Sequence, residues 1–526
     1  MPSKRAFQSH ARRILRRLVD ITMGFLFRLV YRNPGARVNP IEDLLLLDTA
    51  STLALKIRTK KVKSVEVVEK YIARIKDINT LLNCVVDERF EEALAEARAV
   101  DKLIESGTTS EEEMAKETPY LGVPFTTKDS IQVKGLKFTA GLYARRNIKG
   151  AEDAAAVTTL RRAGAIPLAL TNVSELCMWW ESHNTVHGRT NNPYDSNRIV
   201  GGSSGGEGCL QAAAGSPMGI GSDIGGSIRM PCFFNGIFGH KPSRGLVSNA
   251  GEYPIASKDH DLFLGTGPMC RFASDLAPML KVLSDKNASR IPFDEKVDIK
   301  ALKFYYMEDD GGSALVSAVH QDVKTAMHNV LTYLKKAHGI QPQKVNITNM
   351  KRSAAIWFAK MNVKGEPDFC QELANRNGSI NVYWELIKWV LCLSKHTFIA
   401  LATGISEKMG VKHGSEEHTR LLEACDHMYT EFKELLGENG IFLYPTHPTV
   451  APYHNEPVFK PLNFSYTAII NVLGFPATHI PLGLNDKGLP VGIQAVGAMN
   501  CDHHCIAVAC ELERAFGGWV PPAISV

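Results

Sequence analysis

Glycine crowds around two serines in this chain, and that crowding limits what the surrounding backbone can be. Glycines 201, 202, 205 and 206 enclose Ser203 and Ser204 in NRIVGGSSGGEG, and glycines 221, 225 and 226 lead to Ser227 in GSDIGGSIRMP. A packed helix or strand does not tolerate such density. It is expected where backbone comes close to a ligand or aims several N–H groups at one point. The runs are embedded between apolar stretches such as CLQAAAGSPMGIG and FFNGIFG, which separates them from flexible linkers. Ser227, at the end of Ile224-Gly225-Gly226-Ser227, therefore stands where backbone donors could hold a developing oxyanion. Lys128, in the earlier PYLGVPFTTKDS, supplies a base that needs no histidine. The pattern is that of a hydrolase.

The rest of the chain reads as α/β. Amphipathic periodicity predicts helices over 65–78, 91–105 and 154–163. Short apolar runs predict buried strands over 123–127, 166–170, 441–444 and 491–496. Such alternation calls for a sheet covered by helices on both faces. No low-complexity linker and no internal repeat divides the 526 residues.

A lysine, a GGSSGG loop and a DIGGS loop in that order resemble the signature region of the amidase-signature hydrolases, here over about residues 121–245. Similar features continue in IFLYPTHP, NVLGFPATHIPLG and GLPVGIQAVG, so the resemblance covers residues 40–526 as one catalytic domain. It implies one large mixed, twisted β-sheet. It also implies Ser227 as nucleophile, Ser203 as bridging serine and Lys128 as base, with the N–H groups of Ile224, Gly225, Gly226 and Ser227 forming the oxyanion hole. Burial beside the glycine loops is expected to favour the neutral lysine. The resemblance further implies a cis Gly202–Ser203 peptide. Asp223 and Arg229 are expected to pair and hold the nucleophile loop. The scheme calls for no metal and no organic cofactor. Gly202-Ser203-Ser204-Gly205-Gly206 also satisfies G-x-S-x-G, which would employ Ser204 with His447 or His479. That alternative lacks an HGGG-type oxyanion motif and leaves DIGGS unexplained.

Charge locates a second feature. The net charge is +5, but the first 40 residues hold nine Lys/Arg against the single acid Asp20, leaving the remainder at −3. The body is therefore no nucleic-acid-binding surface on charge grounds. Within residues 1–35, Arg12, Arg13, Arg16, Arg17 and Arg28 fall on one helical side and Ile14, Leu15, Leu18, Ile21, Phe25, Leu26 and Leu29 on the other. This segment is expected to be an amphipathic membrane anchor, interfacial or a short single pass, on an intracellular membrane. A mitochondrial presequence and an ordinary surface helix are the competing readings. Residues 383–405 carry Trp384 and Trp389 with interspersed lysines, which suits either a core helix pair or a membrane-interface cap. The stretch resembles the membrane-binding cap of the fatty-acid amide hydrolases. With it, the expected substrates are lipid amides, namely primary fatty amides and N-acylethanolamines, cleaved to free acid and amine. The expected partners are such a lipid amide and a membrane surface, and the resemblance allows a homodimer. The A subunit of a glutamyl-tRNA amidotransferase, or a general small-amide amidase, would use the same three residues. Eleven scattered cysteines, an odd number, favour reduced thiols. Cys501-Asp502-His503-His504-Cys505 invites a metal-site or palmitoyltransferase reading, but a helix packing Cys505, Ile506, Val508, Ala509 and Leu512 accounts for it better.

Overall fold

The short apolar runs pair edge to edge. The computed structural model describes residues 4–523. Its strands are β1 (Val85–Glu88), β2 (Pro124–Lys128), β3 (Ile166–Thr171), β4 (His183–Asn184), β5 (Gly188–Arg189), β6 (Met218–Asp223) and β7 (Phe238–Lys241). They continue with β8 (Gly265–Cys270), β9 (Lys303–Tyr306), β10 (Gln343–Lys344), β11 (Gly440–Pro445), β12 (Ala477–Leu484) and β13 (Pro490–Gly497). Among the described residues, eleven of them form one sheet in the order β1-β3-β2-β6-β8-β7-β12-β13-β11-β9-β10, while β4 and β5 pair separately. β2 lies parallel to both β3 and β6, whereas β6 and β8 are antiparallel, so the sheet is mixed as expected.

Alternate residues of a strand point to opposite faces. In β11, Ile441 and Leu443 enter one large apolar cluster, and Phe442 and Tyr444 enter another. The first cluster takes the helix Ser64–Leu82, which buries Val67, Val68, Tyr71, Ile75, Ile78 and Leu82 at helical spacing. That helix stops at Asn83, which adopts the left-handed conformation that ends helices. The second cluster takes Trp357, Met428, Phe432 and Ile469 from helices on the other face. The helix Asp502–Phe516 buries Cys505, Ile506, Val508, Ala509 and Leu512, as the packing reading requires. Among the described residues no His, Cys, Asp and Glu cluster suits a metal ion.

The N-terminal expectation needs correction. Residues 1–3 of the 1–35 segment lie outside the described residues. The helix Lys4–Val30 forms, but no helix among the described residues is long and apolar enough to cross a membrane. Arg17, Asp20 and Arg28 interrupt its apolar run, so the single pass, and with it the intracellular membrane location assigned through this segment, is withdrawn. The helix instead lies against the body. Asp20 pairs with Arg16 and accepts from the Ser317 hydroxyl at 3.2 Å, and Tyr31 stacks on Tyr453 with centroids 5.0 Å apart. Phe27 meets Phe459 edge-on. Its apolar side, including Leu15, Ile21 and Phe25, stays exposed.

Residues 383–405 are not a core helix pair. The helices Val382–Val390 and Phe398–Met409 leave Trp384, Ile387, Trp389, Val390, Leu391 and Leu393 exposed. Val382, Leu401 and Cys370 close into a small buried cluster beneath them, and Ala400 enters a second with Phe369 and Leu373.

Candidate active site

Lys128 is the last residue of β2, whose five residues are all buried. β6 runs parallel beside it, with Thr127 opposite Ile220, so Lys128 and Ser222 reach the same carboxyl edge of the sheet. Open α/β sheets bind ligands at such edges. Lys128 Nζ donates to Ser203 Oγ at 2.9 Å and to Ser222 Oγ at 2.9 Å, all of it buried.

Ser203 arrives on a loop leading into the helix Gly205–Ala212, and the Gly202–Ser203 peptide is cis, as the resemblance implies. A side chain at Gly202 would run into the Trp179 carbonyl. Ser227 follows Gly226, whose φ of +121° excludes other residues and whose absent Cβ would strike the Thr467 hydroxyl. The two loops are tied together, since Ser204 N–H donates to the Ser227 carbonyl at 3.2 Å. No hydrogen bond joins the Ser203 and Ser227 hydroxyls.

Asp223 and Arg229 pair, as expected, and hold the loop that carries Ser227, through Arg229 Nε to Asp223 Oδ2 at 3.0 Å. Both are fully buried. Burial alone would raise the Asp223 carboxyl, but the adjoining guanidinium more than offsets it and holds the pKa at about 2. The same carboxylate accepts from the Gly226 N–H at 2.6 Å and the Ile228 N–H at 3.2 Å. Gly226 is thus already committed, whereas the N–H groups of Gly225 and Ser227 make no hydrogen bond among the described residues. Arg229 also donates from Nη2 to Asn471 at 2.6 Å and from Nη1 to Gln494 at 2.8 Å, and Asn471 in turn donates to Asp223.

Three contributors escape a motif-based reading. Ser222, five residues before Ser227, stands inside the glycine run, but nothing local marks its hydroxyl as the one that meets Lys128. Glu252 has no sequence signal. Its backbone bridges to Ile131, just beyond β2, and its carboxylate accepts from the Thr266 hydroxyl. Burial pushes Glu252 up, with the Lys128 charge and the Thr266 and Ser222 hydroxyls opposing. Lys241, also unforeseen, is a second buried lysine, lowered to about 7 by burial and by Arg229.

The Ser204 alternative fails on contacts. Ser204 Oγ donates weakly to the Ser222 carbonyl at 3.4 Å, while His447 and His479 turn Nδ1 to Thr449 and Thr446. Burial lowers both imidazoles to about 3.

A mixed sheet carrying a buried lysine and two glycine-bound serines at one edge defines a hydrolase class, and the chain belongs to the amidase family, whose model matches residues 66–506. It is 47% identical over 514 residues to fatty-acid amide hydrolase 2 of Homo sapiens, covering 95% of this chain and 96% of that one. Fatty-acid amide hydrolase 2-A of Danio rerio is 46% identical over 523 residues, covering 98% of each. Among solved structures, one described as fatty acid amide hydrolase superposes with a TM-score of 0.72 at 23% identity, covering 91% of this chain and 86% of that one.

Proposed function

We propose that this amidase hydrolyses fatty-acid amides, primary fatty amides and N-acylethanolamines among them, through an acyl-enzyme on Ser227. The catalytic unit proposed is 40–526. The observation that carries the chemistry is the buried Lys128 Nζ at 2.9 Å from Ser203 Oγ, beside a loop that presents Ser227. Neutral Lys128 accepts the Ser203 proton while Ser203 takes that of Ser227, and the Ser227 oxygen attacks the amide carbon. The oxyanion falls to backbone donors of the 224–227 loop, with Gly225 and Ser227 unengaged and Gly226 bound to Asp223. The proton returns through Ser203 to the leaving nitrogen, the C–N bond breaks, and water then releases the acid.

The lipid substrate class is supported by the relatives' names and by the apolar surface around Trp384 and Trp389. That surface would meet the lipid phase from which long-chain amides come. A small cavity beside the helix Phe398–Met409 is lined by Met178, Trp179, Phe369 and Ile399 together with the polar Glu181 and His183. The reading involves no nucleic acid and allows a homodimer, which sedimentation of the purified chain tests. Assays on oleamide and on glutamine decide the substrate: turnover of oleamide alone is expected, and turnover of glutamine alone would assign an ammonia-releasing amidase instead. Fluorophosphonate labelling is expected to modify Ser227. A label on Ser203 or Ser204 with Ser227 untouched would overturn the nucleophile.

A further inference from the structure

Trp357 lies 133 residues from Ile224 in sequence, outside both glycine-rich loops, yet its indole Nε1–H donates to the Ile224 carbonyl at 2.9 Å. It sits on the helix Ser353–Met361 and is 5% exposed. In a trans peptide the C=O of one residue and the N–H of the next point in opposite directions. Holding the Ile224 carbonyl therefore turns the Gly225 N–H away from the indole, and this N–H makes no hydrogen bond among the described residues. The next peptide is held in the same manner. The Thr467 hydroxyl binds the Gly225 carbonyl at 2.8 Å, and the Gly226 N–H on the other side of that peptide reaches Asp223 at 2.6 Å. The same ring lines the loop: a Cβ on Gly225 would stand in ordinary van der Waals contact with Trp357 and Phe464 at 3.6 Å, and those two rings pack edge-on with centroids 5.1 Å apart.

We propose that Trp357 is a positioning residue for the oxyanion loop, aiming the Gly225 N–H at the tetrahedral intermediate through its bond to the Ile224 carbonyl. This rests on the Ser227 reading above. An unanchored peptide can rotate, and the energy of turning it back is then spent in the transition state, where the donor acts. Loss of a whole oxyanion donor costs about 10²–10³-fold in kcat. A donor left in place but unaimed should cost less, about tenfold.

The test compares the full-length protein with Trp357→Phe and with a variant carrying β-(3-benzothienyl)alanine at 357, which keeps the bicyclic shape and lacks the N–H. Both are expected to lower kcat for amide hydrolysis about tenfold with KM within twofold, and to weaken a trifluoromethyl ketone, which forms a tetrahedral adduct, by the same factor. Affinity for the product fatty acid should not change. Should Trp357→Phe fail to fold, the benzothienyl variant decides alone. An unchanged kcat there overturns the proposal, as does a loss expressed equally in KM or product affinity, which would make the ring a packing or substrate-binding group. Ser227→Ala run alongside separates the two claims: if it retains turnover, the nucleophile assignment fails and this proposal with it.

Discussion

Lys128 reaches two hydroxyls, and a carboxyl stands behind the second. Lys128→Ala, which removes the proposed base, should cost about 10²–10⁴-fold in amide hydrolysis. The deficit should shrink for activated esters, whose leaving groups need no proton. Matched kcat/KM values for an amide and a p-nitrophenyl ester check this, and near-normal amide turnover would discredit the lysine. Glu252 faces Lys128, Ser222, Thr266 and, at longer range, Asp261.

Among the elements, the helix Gly205–Ala212 starts two residues after Ser203, and its own Glu207 fastens it to the sheet. The carboxylate accepts from Thr126 of β2 at 2.6 Å, from Thr171 of β3 at 2.9 Å and from Gln211 at 2.9 Å. Burial nevertheless pushes Glu207 up to about 7. Between the ordinary glutamate value and about 7 the native state binds the extra proton, so stability falls as pH rises through that window. The decline is worth roughly 3 kcal/mol at about 1.4 kcal/mol per pKa unit. Urea midpoints at pH 5 and 7.5 should differ less in Glu207→Gln than in the parent, and an identical difference would mean the carboxyl titrates normally. The helices and strands themselves were largely legible, because periodicity of 3.6 or 2 is written locally: 65–78 became Ser64–Leu82, and 166–170 became Ile166–Thr171. The strand order was not, since which apolar run lies beside which depends on crossovers between distant segments. Nor was the packing of 383–405, where the same tryptophans fit a core or a surface until neighbouring elements were placed.

Across the whole molecule, the helices Val382–Val390 and Phe398–Met409 leave an apolar patch exposed around Trp384 and Trp389, and its use is measurable. Trp384→Asp with Trp389→Asp should lower kcat/KM for a long-chain amide roughly tenfold, about the value of part of one buried large side chain. A short-chain amide should be unaffected. Equal effects on both substrates, or none, would show that the patch has no part in admitting the chain. The sequence by itself determined where backbone had to come close: a missing Cβ is a local property, so glycines 201–206 and 221–226 marked Ser203 and Ser227 without any neighbour being known. It also set the helix and strand periods and the arginine and apolar sides of residues 12–29. Only the tertiary structure decided which side of that N-terminal helix meets the body, that Ser222 shares the lysine, that Glu252 backs it and that Trp357 grips the Ile224 carbonyl. Each of these is a contact between distant positions, created when the sheet brings separate chain segments to one edge, and no local pattern encodes it.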